Sequence, residues 1–153
     1  MEISKRNKNV SYEEIIEFEI KNNFSFDSDF REFLLECNGG IPTENQFDIV
    51  QTNNSAGITY FFSLTEIEDK YKSKRLLSLY IAIAEATGDN YICISKQSGN
   101  VFFWDHEFDH KGEDAFFLLA KNFNAFLDCL RNFDSKYIHL DPKQIKEVWI
   151  DPE

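Results

Sequence analysis

The stretch from Gly99 to His110 reads GNVFFWDHEFDH, an apolar run that breaks into carboxylates and imidazoles. His106 and His110 stand four apart with Glu107 between them, which fits the pattern HExxH. On an α-helix that spacing puts two imidazoles on one face to hold zinc, with the Glu as base. The context is wrong for it. The pattern follows the strand-like run Val101–Trp104 directly and meets Lys111-Gly112 at once, and the only later imidazole is His139. In an extended chain Asp105, Glu107 and Asp109 would share one face and the two histidines the other. A zinc hydrolase using His106, Glu107 and His110 is therefore the weakest reading, and no metal site, cofactor or catalytic residue is expected.

Other chemistries find less support. No G-x-S-x-G elbow is present, and Gly39-Gly40 runs into Ile41-Pro42 without a phosphate-cradling pattern. Cys37, Cys93 and Cys129 are odd in number and lack ligand spacing, so they read as small core residues of a cytoplasmic protein in a reducing compartment. An aromatic ring beside carboxylates can grip Arg or Lys of another protein. On that ground Trp104, Asp105, His106, Glu107 and Asp109, with Asp89 from the preceding turn, form the candidate partner-binding face. Trp104 reads first as core, at least in part, and Asp89 reads equally as a cap of its turn. Asn38, Gly39, Gly40 and Gly88 read as cap and turn residues.

These residues sit in a chain of 153 residues, the size of one domain, with net charge −11. Such charge opposes binding to nucleic acid or an anionic membrane and permits a basic protein partner. It is concentrated in two blocks. Residues 11–36 carry −6 and residues 85–114 carry −5. At 42% hydrophobic residues, with 16 Phe, the chain has the material for a core. The N-terminus has no apolar leader, and no run approaches a membrane span.

Local signals place the elements. Ser11-Tyr12-Glu13-Glu14 is a capping box, followed by Tyr12, Ile15, Ile16 and Ile20 as the buried stripe of a first helix. Asp27 should cap a second helix with Phe30, Phe33, Leu34 and Cys37 inward, stopped at Asn38-Gly39-Gly40. Phe47–Val50 and Ile58–Phe62 read as strands, separated by the turn-rich QTNNSAG. A helix is expected over Leu64–Leu77, capped by Ser63 or Thr65, then a strand at Leu79–Ile83. Tyr91–Ser95 and Val101–Trp104 flank a hairpin loop. A long last helix should start at Glu113 or Asp114 with Phe116, Leu119, Phe123, Phe126, Leu127 and Leu130 as its stripe. A weak strand, Glu147–Ile150, closes the tail. One clear hairpin and no strict alternation imply a single α+β domain with a mainly antiparallel twisted sheet and helices packed on it.

Three segments, in order, resemble the SUKH superfamily. They are Phe30–Pro42, with its NGGIP end; Gly88–Ile94 followed by GNVFFWDHE at Gly99–Glu107; and the closing Leu119–Leu127. The resemblance spans about residues 10–130 and leaves the tail from 134 to 153 as an extra. Where the family often has Leu-Pro before its second helix, this chain has Phe26-Asp27. The resemblance implies an α+β binding protein without catalysis: a bacterial immunity protein against a cognate toxin, basic and encoded nearby, of a class that includes nucleases. A regulatory or scaffold module of the cell-wall-synthesis type is the alternative it leaves open.

Overall fold

A computed structural model describes residues 2–4 and 7–132 of the chain. The first helix, α1 (Tyr12–Lys21), begins at the expected capping box. Glu14 donates its N–H to Ser11 Oγ at 3.2 Å, and Ser11 donates its own to Glu14 Oε1 at 3.0 Å. The buried side differs from the expected stripe: Ile15, Phe18 and Glu19 face inward, while Tyr12 and Ile20 are 51% and 76% exposed. The reason is Arg31. Glu19 Oε2 accepts the Arg31 guanidinium at 3.0 Å and the Phe26 N–H at 2.8 Å, and Arg31 also donates to the Phe26 carbonyl at 3.1 Å. A buried carboxylate needs such partners, and meeting them turns α1 onto the segment leading into the second helix.

That helix, α2 (Ser28–Cys37), starts at Asp27 in extended conformation, but the Asp27 side chain makes no capping bond. Asp29 does the polar work instead. It accepts the Phe30 N–H at 2.8 Å and, across the fold, the Asn124 N–H at 3.0 Å. The helix ends at Asn38, which takes a left-handed conformation (φ 44°) just before Gly39. Gly39 (φ 86°) is needed for space as well as for conformation. A Cβ there would lie 2.8 Å from the Phe61 carbonyl oxygen.

Two short strands, β1 (Ile3–Ser4) and β2 (Ile41–Pro42), pair antiparallel, an element the sequence did not suggest. The main sheet is a six-stranded antiparallel meander in chain order. Its strands are β3 (Gln46–Ile49), β4 (Asn54–Phe61), β5 (Tyr80–Ala86), β6 (Asn90–Ser95), β7 (Val101–Trp104) and β8 (Phe116–Ala120). Irregular register in the β4–β5, β5–β6 and β7–β8 pairs lets it curl. The edges come together as a result. The Gln51 side-chain amide, turned to match, receives the Leu118 N–H at 3.2 Å and donates to its carbonyl at 3.3 Å. Gln46 and Arg131 also exchange backbone hydrogen bonds, each 2.9 Å.

Helices cover the central strands on both sides. A phenylalanine cluster joins α1, α2 and α4 (Phe123–Asp128) to one face, with Phe123 4.8 Å from Phe30 and Phe126 5.9 Å from Phe47. On the other face α3 (Leu64–Ser73) lies over Tyr91 and Trp104. Ser63 and Glu66 form a second capping box for α3, which stops at a left-handed Lys74 (φ 55°), short of the expected Leu77.

The largest departure is the last helix. Phe116–Ala120 is strand β8, and α4 starts only after Asn122, whose side chain accepts the Ala125 N–H at 2.7 Å. The run FFLLA satisfies the open edge of β7, a long-range pairing that helical spacing cannot reveal. Asn54–Gly57, read as turn, belongs to β4. Cys129 is exposed at the end of α4 rather than in the core, Cys37 is half-buried, and only Cys93 is fully buried. The expected strand Glu147–Ile150 lies outside the described residues. The α+β class and the antiparallel sheet stand as expected.

Candidate functional site

The candidate residues gather at one end of the β6–β7 hairpin because Tyr91 pairs with Trp104 there. Gly88 (φ 81°) and Asp89 (φ 64°) are both left-handed and turn β5 into β6. Asn90 then latches the two sides. Its Oδ1 accepts the His106 backbone N–H at 3.0 Å and meets His106 Nδ1 at 2.7 Å, while its Nδ2 donates to the Thr87 carbonyl at 3.2 Å. With that amide orientation the His106 proton sits on Nδ1, and Nε2 is left for another partner.

Beyond Trp104 the chain does not stay extended. Residues His106–Ala115 wind into 3₁₀ turns, broken at Gly112 (φ 59°, ψ −121°). Asp105 starts them: its N–H donates to the Ala115 carbonyl and its Oδ1 accepts the Glu107 N–H, each at 3.0 Å. Asp105 is thus half-buried and committed to the backbone, whereas Asp89, Glu107 and Asp109 are exposed. None of the three has a cation within 4.0 Å among the described residues. The 3₁₀ winding also removes the helical face that HExxH requires. Among the described residues no three His, Cys, Asp or Glu side chains converge as a metal site would need.

Trp104 is 1% exposed and lies under this end rather than on it. It stacks on Tyr91 (centroids 5.3 Å, planes 24° apart), and the Arg75 guanidinium covers it at 5.1 Å. Its indole N–H is buried and meets no acceptor among the described residues. The ring shapes the end of the sheet; it is not an anchor a partner could grip. The exposed aromatic is Phe108, 37% accessible, which touches Phe117 and carries Lys111 Nζ 5.2 Å above its ring. The sequence reading missed it, although a Phe inside a charged run is itself a signal. It also missed Asn90, whose partner is 16 residues away.

The four cap and turn residues divide. Gly39, Gly40 and Gly88 hold positive φ. Asn38 does more than stop α2: its Nδ2 donates to the Lys8 carbonyl at 2.7 Å and its Oδ1 accepts the Leu64 N–H at 2.9 Å. One side chain thus ties the N-terminal segment to the start of α3. Asp27 of the first acidic block stays apart from the candidate residues. Asp27 lies against Gly99 at the turn of the β6–β7 hairpin, with Asp89 and Glu107 at its other end. Four residues of β7 separate the ends, about 13 Å at strand rise.

Comparison with known proteins adds two findings. The SMI1 / KNR4 family (SUKH-1) matches residues 9–129. A stretch of 68 residues is 42% identical to the SPbeta prophage-derived uncharacterized protein YokK of Bacillus subtilis (strain 168), covering 44% of this chain and 34% of that protein. The match therefore spans about a third of that relative's length. No helix of the described residues is long and apolar enough to cross a membrane.

Proposed function

The chain belongs to the SMI1 / KNR4 family (SUKH-1), and from that premise we propose that it is a non-catalytic immunity protein that binds and neutralises a cognate toxin. One observation carries the reading: Asp89, Glu107 and Asp109 are exposed, have no cation within 4.0 Å among the described residues, and stand with exposed Phe108 on turns whose backbone is pinned by Asn90 and Asp105. A preorganised acidic surface that also offers an aromatic ring suits a basic protein surface. The carboxylates steer encounter, and the ring supplies desolvated contact. A nuclease cleft is such a surface, because it must hold phosphates. The toxin is encoded near this chain, and the complex forms in the cytoplasm, where no nucleic acid or membrane needs to take part.

The test is neutralisation. The product of the neighbouring gene is expressed in a sensitive host with this chain or with the triple variant Asp89→Lys, Glu107→Lys, Asp109→Lys. The intact chain restores growth. The triple variant, checked by circular dichroism to be folded, restores it at least tenfold less well. Equal protection by both would remove the acidic end from the mechanism. No protection by either would remove the immunity reading and leave a regulatory module in its place.

A further inference from the structure

The cations of this acidic chain gather along α3. Lys70, Lys72, Lys74 and Arg75 follow one another at its C-terminal end, and Lys96 reaches the same side from the end of β6. Lys72 is 4.0 Å from Glu68. Lys70, Lys74, Arg75 and Lys96 have no carboxylate within 4.0 Å among the described residues. Aromatic rings hold three of them. Lys70 lies 5.5 Å from the Phe62 centroid and Arg75 5.5 Å from that of Tyr91, while Lys96 Nζ is 2.8 Å from the Tyr71 hydroxyl. Rings position a cation without neutralising it. Residues 64–75 and Lys96 hold five cations against Glu66, Glu68 and Asp69, a net of +2 in a chain of net charge −11.

Beside them a cleft of about 280 Å³ opens between α3 and β5, lined by Lys70, Tyr71, Lys74, Leu76, Leu77 and Tyr80. Leu77 and Leu79 at its margin are each 39% exposed. We propose that this cleft docks an acidic peptide segment of a partner protein, one that inserts a bulky apolar side chain and lays carboxylates along Lys70 and Lys74. The charge complementarity sets the sign of the occupant, and the apolar floor sets its anchor. The cleft accommodates one large side chain. This surface is opposite in sign to the acidic end, and Arg75 adjoins both, since it also covers Trp104.

The test is a nuclear magnetic resonance titration of the full ¹⁵N-labelled chain with the acetylated, amidated peptide Glu-Asp-Trp-Leu-Glu-Asp and its neutral counterpart Gln-Asn-Trp-Leu-Gln-Asn. The acidic peptide shifts the amides of residues 70–82 and Lys96 and binds about five times more tightly at low salt than the neutral one. Lys74→Asn weakens it about threefold, and adding Lys70→Gln brings the loss to about tenfold. Lys74 has no ring or carboxylate partner, and Asn tolerates its left-handed backbone, so the single variant leaves the fold intact. Shifts confined to other surfaces, or equal affinity for both peptides, would overturn the proposal. N-acetyltryptophan binding as tightly as the peptide would assign the cleft to small carboxylates and overturn the peptide occupant. The same shifts on raising protein concentration alone would assign it to a second copy.

Discussion

Replacing Asn90 with Ala should separate the two halves of the acidic end without unfolding the protein. The side chain makes three polar contacts: Oδ1 with the His106 N–H at 3.0 Å, Oδ1 with His106 Nδ1 at 2.7 Å, and Nδ2 with the Thr87 carbonyl at 3.2 Å. Each such bond contributes about 0.5–1.5 kcal/mol net. Asn90 is half-buried and water replaces part of what is lost, so the expected cost is about 1–3 kcal/mol. Urea unfolding measures that total. Amide hydrogen exchange measures where it falls, and the His106 amide, which donates to Asn90, should exchange at least tenfold faster. Asn90→Asp keeps an acceptor for His106 and should lose less. A loss below about 0.5 kcal/mol with an unchanged His106 exchange rate would show that the turns are held by their own backbone bonds and that the latch is incidental.

Three further outcomes follow from the packing. Glu19→Gln leaves Arg31 without its carboxylate in a mostly buried site and should cost about 2–4 kcal/mol in denaturant unfolding, somewhat under the range for fully buried pairs because Arg31 is partly exposed. Gly39→Ala drives a Cβ to 2.8 Å from three backbone atoms at a left-handed position, so it should lower stability by on the order of 3 kcal/mol or more, while Gly88→Asn, where the nearest atom is 3.5 Å away, should cost under about 1 kcal/mol by thermal melting. Burial pushes the Cys93 thiol up, and burial together with the hydrogen bond to Glu113 pushes the Tyr80 phenol up. Both groups keep their protons in the folded state where the unfolded chain releases them. Their contribution is therefore whole below the ordinary values of about 8.5 and 10 and is lost as pH rises above them. Stability should fall through that window, and Tyr80→Phe should flatten its upper part in melts taken between about pH 9 and 11.

What the sequence made legible was local. The capping box at Ser11 and Glu14 fixed the start of α1, the β6–β7 hairpin followed from its apolar runs and turn residues, and the α+β class followed from their order. What stayed hidden depends on groups far apart in the chain. Glu19 reads as solvent-facing until Arg31 arrives to pair with it, and then Ile20 turns outward instead. Phe116–Ala120 has apolar residues at helical spacing, yet the open edge of β7 takes it as a strand. At the candidate site the same division holds. The charged run after Trp104 was visible, but its 3₁₀ winding, the burial of Trp104 beneath Arg75 and the latch from Asn90 all require the sheet to be in place. Phe108 was legible in principle, as the one aromatic inside the charged run after Trp104.

If the acidic end neutralises a basic toxin, titration calorimetry of the purified chain against the product of the neighbouring gene, at about 50 and 300 mM salt, should show it. Tight one-to-one binding is expected, weakening at least tenfold at the higher salt and likewise in the Asp89→Lys, Glu107→Lys, Asp109→Lys variant. Tight binding unaffected by salt or by the variant would contradict the acidic end, and no binding at either salt would contradict the claim as a whole.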